Sequence, residues 1–319
     1  MSLVTVKNLV KTFSAGKGML AAKRRVHAVN DISFTINNGE TFSIVGESGC
    51  GKSTTGRLIN HLLVPDSGEI WFNGENISIL PEKEVRPLRN DMQMVFQDPN
   101  ASLNPRMRIE DSVAEPMLVH TDMSRQERLQ HARELLEVVG ISAANGRRYP
   151  HEFSGGQRQR IGIARALTVQ PKLIIADEPV SSLDVSIQAQ VLNLMQRLQK
   201  EFTLTYLFIS HDLSVVELIS DRIAVMYLGF IVELAPKAQL YKNPRHPYTR
   251  ALLSAVPIPD PTIHRDRELL QGEIPSAIDL PQGCPFQSRC TKCQADCKEG
   301  KIEPRDLGDG HLVACLHID

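Results

Sequence analysis

No apolar run in this chain approaches the roughly 20 residues that a membrane-spanning helix requires. The longer ones, such as residues 173–176 and 204–209, are strand-sized. The opening segment, MSLVTVKNLVKTF, lacks the uninterrupted apolar core of a secretory signal, so the expected compartment is the cytoplasm. An excess of one charge is missing too: 36 Lys+Arg stand against 37 Asp+Glu, a net charge of −1. A dedicated nucleic-acid binder is usually strongly basic, so that class is excluded as a first reading. No internal repeat is present. Before residue 284 cysteine is almost absent, with Cys50 alone. At 319 residues the chain accommodates about two domains and buries enough surface to need no disulfide staple. Its 42% hydrophobic and 23% charged residues are ordinary for a soluble globular protein.

What is present begins at Gly46-Glu-Ser-Gly-Cys-Gly-Lys-Ser53, which follows the apolar, β-prone residues 42–45. This is a P-loop in its confirming context, with a strand before it and a helix expected over 54–63. Glycines let the backbone wrap an anion closely, and the N–H groups of the loop and of the helix start face the phosphates. Gly46, Glu47, Ser48, Gly49, Cys50, Gly51, Lys52, Ser53 and Thr54 form the candidate ATP cradle. Lys52 is expected on the β- and γ-phosphates and the Ser53 hydroxyl on Mg²⁺. No chemistry is assigned to Cys50. A second buried strand, residues 173–176, runs into Asp177 and Glu178. Asp177 at its end is placed to hold Mg²⁺, and Glu178 to polarise the water that attacks the γ-phosphate. Between these elements, Phe153-Ser-Gly-Gly-Gln-Arg-Gln-Arg opens another glycine-led helix, a second anion site with no phosphate of its own in the same protomer. A head-to-tail dimer resolves this, each loop closing on the partner's nucleotide.

With these residues the sequence resembles the ATP-binding subunits of ABC transporters over nearly its whole length. The resemblance makes Ser154, Gly155, Gly156 and Gln157 the signature loop, with Phe153 where the family usually has Leu. It makes Gln97 the Q-loop glutamine that touches Mg²⁺ or water, Asp184 the D-loop aspartate and His211 the switch histidine at the γ-phosphate. Phe13 is similar to the aromatic residue that stacks on adenine. Every catalytic position carries a chemically competent residue, which implies an active ATPase.

Strands are expected over 3–10 and 31–45, a helical stretch over about 108–168 with an amphipathic run at 125–139, and alternating strands and helices over 171–240. The expected fold is α/β: a P-loop ABC cassette with a RecA-like core, an antiparallel β subdomain and an inserted helical signature subdomain. The cassette is assigned to 1–240 and a Cys-rich C-terminal extension to 241–319. A basic insertion at 14–28, with Lys17, Lys23, Arg24 and Arg25, is either a solvated loop or hairpin, or a contact for anionic lipid or a membrane subunit. The stretch from Phe96 to Met107 and the motif Asn243-Pro-Arg-His-Pro-Tyr-Thr resemble the dipeptide/oligopeptide importer ATPases. Pro244, Pro247, Pro257, Pro259 and Pro261 suggest a rigid, non-helical exit from the core.

The resemblance implies two transmembrane permease partners, an extracytoplasmic solute-binding protein and a second ATPase subunit, expected to be a paralogue. The chain then sits peripherally on the cytoplasmic face of the inner membrane. The rival class is a soluble ABC ATPase of DNA repair or translation with a zinc module. Long coiled coils, tandem cassettes or basic patches would mark that class.

Five of the six cysteines (Cys284, Cys290, Cys293, Cys297 and Cys315) fall in the last 36 residues. In a reducing compartment such clustering favours a metal over disulfides. Four thiolates suit either tetrahedral zinc or an iron–sulfur cluster. The pattern Gly-Cys-Pro-Phe…Arg-Cys…Cys…Val-Ala-Cys resembles the one that holds a [4Fe–4S] cluster in peptide-importer relatives. That implies Cys284, Cys290, Cys297 and Cys315 as ligands, with Cys293 a bystander or competitor and Zn²⁺ the alternative. Residues 262–319 have few large apolar side chains, so a metal there would contribute folding energy. Its expected role is structural or regulatory.

Overall fold

A computed structural model of the chain describes residues 2–15, 24–98, 102–256, 270 and 272–318. The chain divides into two compact units. One, the P-loop unit, comprises Ser2–Ile36, Phe42–Ile79 and Ser210–Asp319; the other, the helical unit, comprises Asn37–Thr41 and Leu80–Ile209.

The P-loop unit begins with β1 (Ser2–Ala15), β2 (Arg24–Asn37), β3 (Thr41–Val45), α1 (Lys52–Ile59), β4 (Ser67–Phe72) and β5 (Glu75–Asn76). Strands β2-β1-β4-β5 form a four-stranded sheet in that order, with β1 antiparallel to β4 and Val4 opposite Phe72. Leu3, Val4, Val6 and Leu9 of β1 are buried together with Ile70 and Phe72 of β4. The first two strands are longer than the sequence suggests. They take in 14–15 and 24–28 of the basic insertion, whose residues 16–23, with Lys17 and Lys23, lie outside the described residues. The helix after the P-loop is shorter than expected, ending at Ile59. His61 turns to φ 51°, and the Leu62 and Leu63 N–H groups both return to the Arg57 carbonyl, which closes the end of the helix.

The helical unit contains α2 (Glu82–Leu88), β6 (Met92–Val95), α3 (Ile109–His120), α4 (Arg125–Val138), α5 (Gly155–Leu167), β7 (Leu173–Asp177), α6 (Val185–Phe202) and β8 (Thr205–Ser210). Strands β6, β7 and β8 pair in parallel. Every residue of β7 and β8 is buried, as continuous apolar runs in a covered parallel sheet must be. Helix α4 starts in a capping box: Ser124 accepts from the Glu127 N–H and Glu127 accepts from the Ser124 N–H.

The P-loop unit is completed by α7 (Leu213–Ile219), β9 (Arg222–Tyr227), β10 (Phe230–Pro236), α8 (Lys237–Lys242), α9 (Pro247–Ser254), β11 (Arg305–Asp306) and β12 (Leu312–Val313). Strand β9 runs parallel to β3 and antiparallel to β10, and the short tail strands extend the sheet as β10-β12-β11. The expectation of a non-helical, proline-guided exit is corrected here. Pro247 opens α9, with His246 as its N-cap. A proline at the first helical position lacks only an N–H that had no helical partner, and its fixed φ suits the helix. Pro257, Pro259 and Pro261 lie outside the described residues.

Candidate functional site

The P-loop leaves the fully buried β3 and ends in α1. Gly46 has φ 152°, and a Cβ there would lie 2.1 Å from the Met226 carbonyl oxygen at the end of β9. Only glycine allows the loop to run this close to the neighbouring strand. Lys52 is buried, and its Nζ donates to the carbonyls of Gly46 at 2.8 Å and Glu47 at 3.0 Å. The Cys50 carbonyl accepts from Gly229 N–H in the β9–β10 turn at 2.9 Å. Cys50 itself is buried, and burial pushes its thiol up, so it stays a neutral packing residue. Ser53 and Thr54 lie in the first turn of α1, a helix start whose N–H groups suit an anion.

In the helical unit the structure brings two of the expected catalytic residues together. Gln97 Nε2 donates to Glu178 Oε2 at 3.0 Å. Glu178 follows β7 directly and adopts φ 47°, a conformation non-glycine residues rarely take, held by its N–H donating to the Ile209 carbonyl at 2.9 Å. Asp177, one residue earlier, closes the strand and is buried.

The signature loop is a helix start built by its own side chains. Ser154 N-caps α5 and forms a capping box with Gln157, whose side chain accepts from the Ser154 N–H at 2.9 Å. Asp184 likewise N-caps α6, accepting from the Ile187 N–H at 3.0 Å and from the Ser186 hydroxyl at 2.7 Å. The two helices meet at Gly156, where an added Cβ would come 2.2 Å from Ile187 Cγ2. The segments expected to be the signature loop and D-loop are therefore packed as one piece, and Gly156 has a packing reason to be glycine. His211 is exposed just after β8, and Asp212 next to it caps α7. Phe13 lies on β1, 38% exposed, with the Lys11 ammonium 5.7 Å from its ring centroid.

All five tail cysteines line one small cavity, together with Phe286, His246 and His317. All are free thiols. The Cys284 N–H donates to the Cys297 carbonyl at 2.8 Å, which joins the two ends of the cysteine loop. Burial, and after it the sulfurs of Cys315, Cys290 and Cys297, pushes the Cys284 thiol up to about 12. Such a group gives up its proton readily only to a metal. Among the described residues, the one group of three or more metal-type donors with all ligating atoms within 4.8 Å is Asp296, Cys297 and His317. Five free thiols around one cavity are a donor set that suits a thiolate-held metal, zinc or iron–sulfur alike.

Sequence reasoning missed the polar centre beneath this tail. Glu233 on β10 is fully buried and accepts from Arg245 N–H at 2.8 Å, from His246 N–H at 2.9 Å and from the His311 ring at 2.7 Å. The Asn-Pro-Arg-His-Pro-Tyr motif thus wraps a buried carboxylate with backbone donors. Tyr248 and Phe286 are buried against Tyr227, with ring centroids 4.8–5.4 Å apart. The tail therefore contributes a large apolar side chain to the unit's core, although its own sequence is poor in them. A lone acid in an apolar strand was the available signal, but only folding shows what surrounds it.

The ABC transporter family model matches residues 29–181, and the model described as oligopeptide/dipeptide transporter, C-terminal region, matches residues 232–297. The oligopeptide transport ATP-binding protein AppF of Bacillus subtilis is 52% identical over 98% of this chain and 97% of its own. The dipeptide transport ATP-binding protein DppF of Escherichia coli is 47% identical over 99% of this chain and 95% of its own. Among solved structures, the ATP-binding cassette MJ0796, described as a dimer in a post-hydrolysis state bound to ADP and Pi, superposes with a TM-score of 0.66 at 30% identity. That match covers 73% of this chain and 98% of the other, and it establishes the cassette fold. With an ABC cassette that carries both motif sets and relatives of about half identity along the full length, the chain belongs to the ATPase subunits of ABC transporters, in the oligopeptide/dipeptide branch.

Proposed function

We propose that this chain hydrolyses ATP to drive uptake of peptides or related small solutes through partner permeases. One observation carries the cargo class: the branch-specific C-terminal region follows an ABC cassette in a chain about half identical to subunits named for oligopeptide and dipeptide transport. In this reading the cassette is 1–240, with its helical subdomain at about 108–168, and the extension is 241–319.

The P-loop amides and Lys52 hold the β- and γ-phosphates, and Phe13 stacks on adenine. Ser53, Asp177 and Gln97 are the residues that would hold Mg²⁺, whose charge offsets that of the phosphates. Glu178 accepts a proton from the attacking water. The water oxygen bonds to the γ-phosphorus, the bond to the β,γ-bridging oxygen breaks, and ADP leaves. His211 steadies the γ-phosphate. Ser154, Gly155, Gly156, Gln157 and Asp184 serve the nucleotide of a second ATPase subunit in a head-to-tail dimer. That a similar cassette of known structure is a dimer supports a two-subunit assembly.

Docking to permeases is supported by the exposed Phe96, next to Gln97, and by the exposed Leu118 and Val119 at the end of α3. No helix among the described residues is long and apolar enough to cross a membrane. The chain then works peripherally at the cytoplasmic face. It should co-purify from membranes with two multi-span proteins, and a solute-binding protein loaded with peptide should stimulate its ATPase. Co-purification with ribosomes or DNA instead would favour the repair-or-translation class.

Cys284, Cys290, Cys297 and Cys315 hold a [4Fe–4S] cluster in this proposal, with Cys293 beside them. The support is the five free thiols around one cavity, together with the resemblance of the Gly-Cys-Pro-Phe…Val-Ala-Cys pattern to the cluster-holding one. Anaerobic purification should yield a brown protein with about four irons per chain, and Cys284→Ser should lose most of that iron. A colourless, zinc-containing protein would refute the assignment.

A further inference from the structure

Glu47, the second residue of the P-loop, is gripped at three points. Its carbonyl accepts from Lys52 Nζ at 3.0 Å, and its N–H donates to the Tyr248 hydroxyl at 3.0 Å. Its carboxylate takes a bidentate pair of hydrogen bonds from Arg289, at 2.7 and 3.1 Å. Arg289 lies 242 residues away in the chain, immediately before Cys290. This is no solvated surface pair: the Arg289 side chain is 6% exposed and that of Glu47 25%. The guanidinium also lies 5.8 Å from the centroid of the Tyr227 ring. Tyr227 closes β9, next to the Met226 carbonyl that abuts Gly46, and it packs edge-on against Phe286 of the tail. One continuous set of contacts therefore runs from the cysteine loop to the phosphate loop inside one compact unit.

We propose that Arg289 is a positioning residue for the P-loop, so that ordering of the cysteine-bearing tail and binding of ATP are linked. The physical reason is charge as well as shape. Polyphosphate must enter a loop that carries the Glu47 carboxylate. Arg289 neutralises that carboxylate and holds it turned toward the tail. When the tail loosens, the loop loses its brace and an uncompensated anion remains beside the phosphates. Linkage is reciprocal, so bound ATP in turn tightens the tail.

The proposal goes beyond the ATPase reading and rests on it. The test is equilibrium binding of a fluorescent trinitrophenyl-ATP, with Mg²⁺, to the purified full chain. R289A should bind about tenfold more weakly, with kcat at saturating ATP within about twofold of wild type. R289K, which keeps the charge but not the paired hydrogen bonds, should bind about threefold more weakly; it is also the informative variant if R289A does not fold. R289A/E47Q, which removes the stranded anion, should recover most of the affinity that R289A loses. Hydrogen exchange in residues 282–298 should slow on ATP binding in the wild type and not in R289A. R289A binding like wild type, or R289A/E47Q binding as weakly as R289A, would overturn the proposal. A wild-type chain that binds no ATP would overturn the ATPase reading and the proposal together, a result distinct from equal binding by all forms.

Discussion

Glu178→Gln is expected to keep ATP binding and to lose roughly 10²- to 10⁴-fold in turnover, the usual contribution of a positioned general base. The substitution is nearly isosteric. It preserves a side chain able to meet Gln97, now 3.0 Å from the carboxylate, and leaves the 2.9 Å bond from the residue's N–H to the Ile209 carbonyl untouched. What it removes is the ability to take a proton from water. The backbone supports the assignment physically. A glutamate held at φ 47° straight after a fully buried strand is costly to maintain, and such conformations persist where the surroundings enforce them. Single-turnover and steady-state ATPase assays, beside a nucleotide-binding titration, measure the effect. Turnover within a few-fold of wild type would remove Glu178 from the role of base.

Glu233→Ala is the second large effect, and it acts on stability. The carboxylate is fully buried and satisfies two backbone N–H groups and the His311 ring. Removing it strands these donors in the interior, at about 3–5 kcal/mol by the behaviour of broken buried charge pairs. Thermal unfolding should shift down by roughly 10 °C. A melting point within about 2 °C of wild type would show that the motif around Arg245 and His246 does not depend on this acid.

The same centre makes the unit sensitive to acid, and the sign follows from two groups. Burial by itself would raise the Glu233 carboxyl. The hydrogen bonds it accepts, first from His311 and then from the Arg245 and His246 amides, outweigh burial and leave it below the ordinary glutamate value. Burial pushes the His246 imidazole down to about 4, with the Glu233 charge opposing this. The ring stays neutral and accepts from the Tyr248 N–H at 3.1 Å. Both folded-state values are depressed, so both groups contribute stability at neutral pH and lose it on acidification. For His246 the loss runs from about 6.5, where the unfolded ring takes a proton, down to about 4. It amounts to an order of 3 kcal/mol, and Glu233 adds to it at lower pH. Denaturant titrations between pH 7.5 and 4 should show falling stability in wild type and a shallower slope in His246→Asn. Equal slopes would exclude His246 as the source.

Much of the site was legible before folding because its chemistry is local. Phosphate recognition needs consecutive backbone amides, so the P-loop and the Ser154-Gly-Gly helix start are contiguous in sequence and carry fixed residue types. A strand covered on both faces reads as an unbroken apolar run, and residues 173–176 pointed to Asp177 and Glu178 for that reason. The proline-rich segment misled because the same residue that breaks a helix inside also starts one at its first position. Gly156 looked like a phosphate-loop glycine alone, and the 2.2 Å approach to Ile187 comes from a helix 31 residues downstream.

By itself the sequence determined the cassette, the order of its catalytic elements and the presence of a thiol cluster, since each is encoded by neighbours in the chain or by spacing. Only the tertiary structure decided what the tail does with those thiols in place. It buries Phe286 against Tyr227 and Tyr248, encloses Glu233 and sets Arg289 on Glu47. These contacts join residues up to 242 positions apart. Their energy comes from excluding water around charges and aromatic faces, and no periodicity or motif spacing records that.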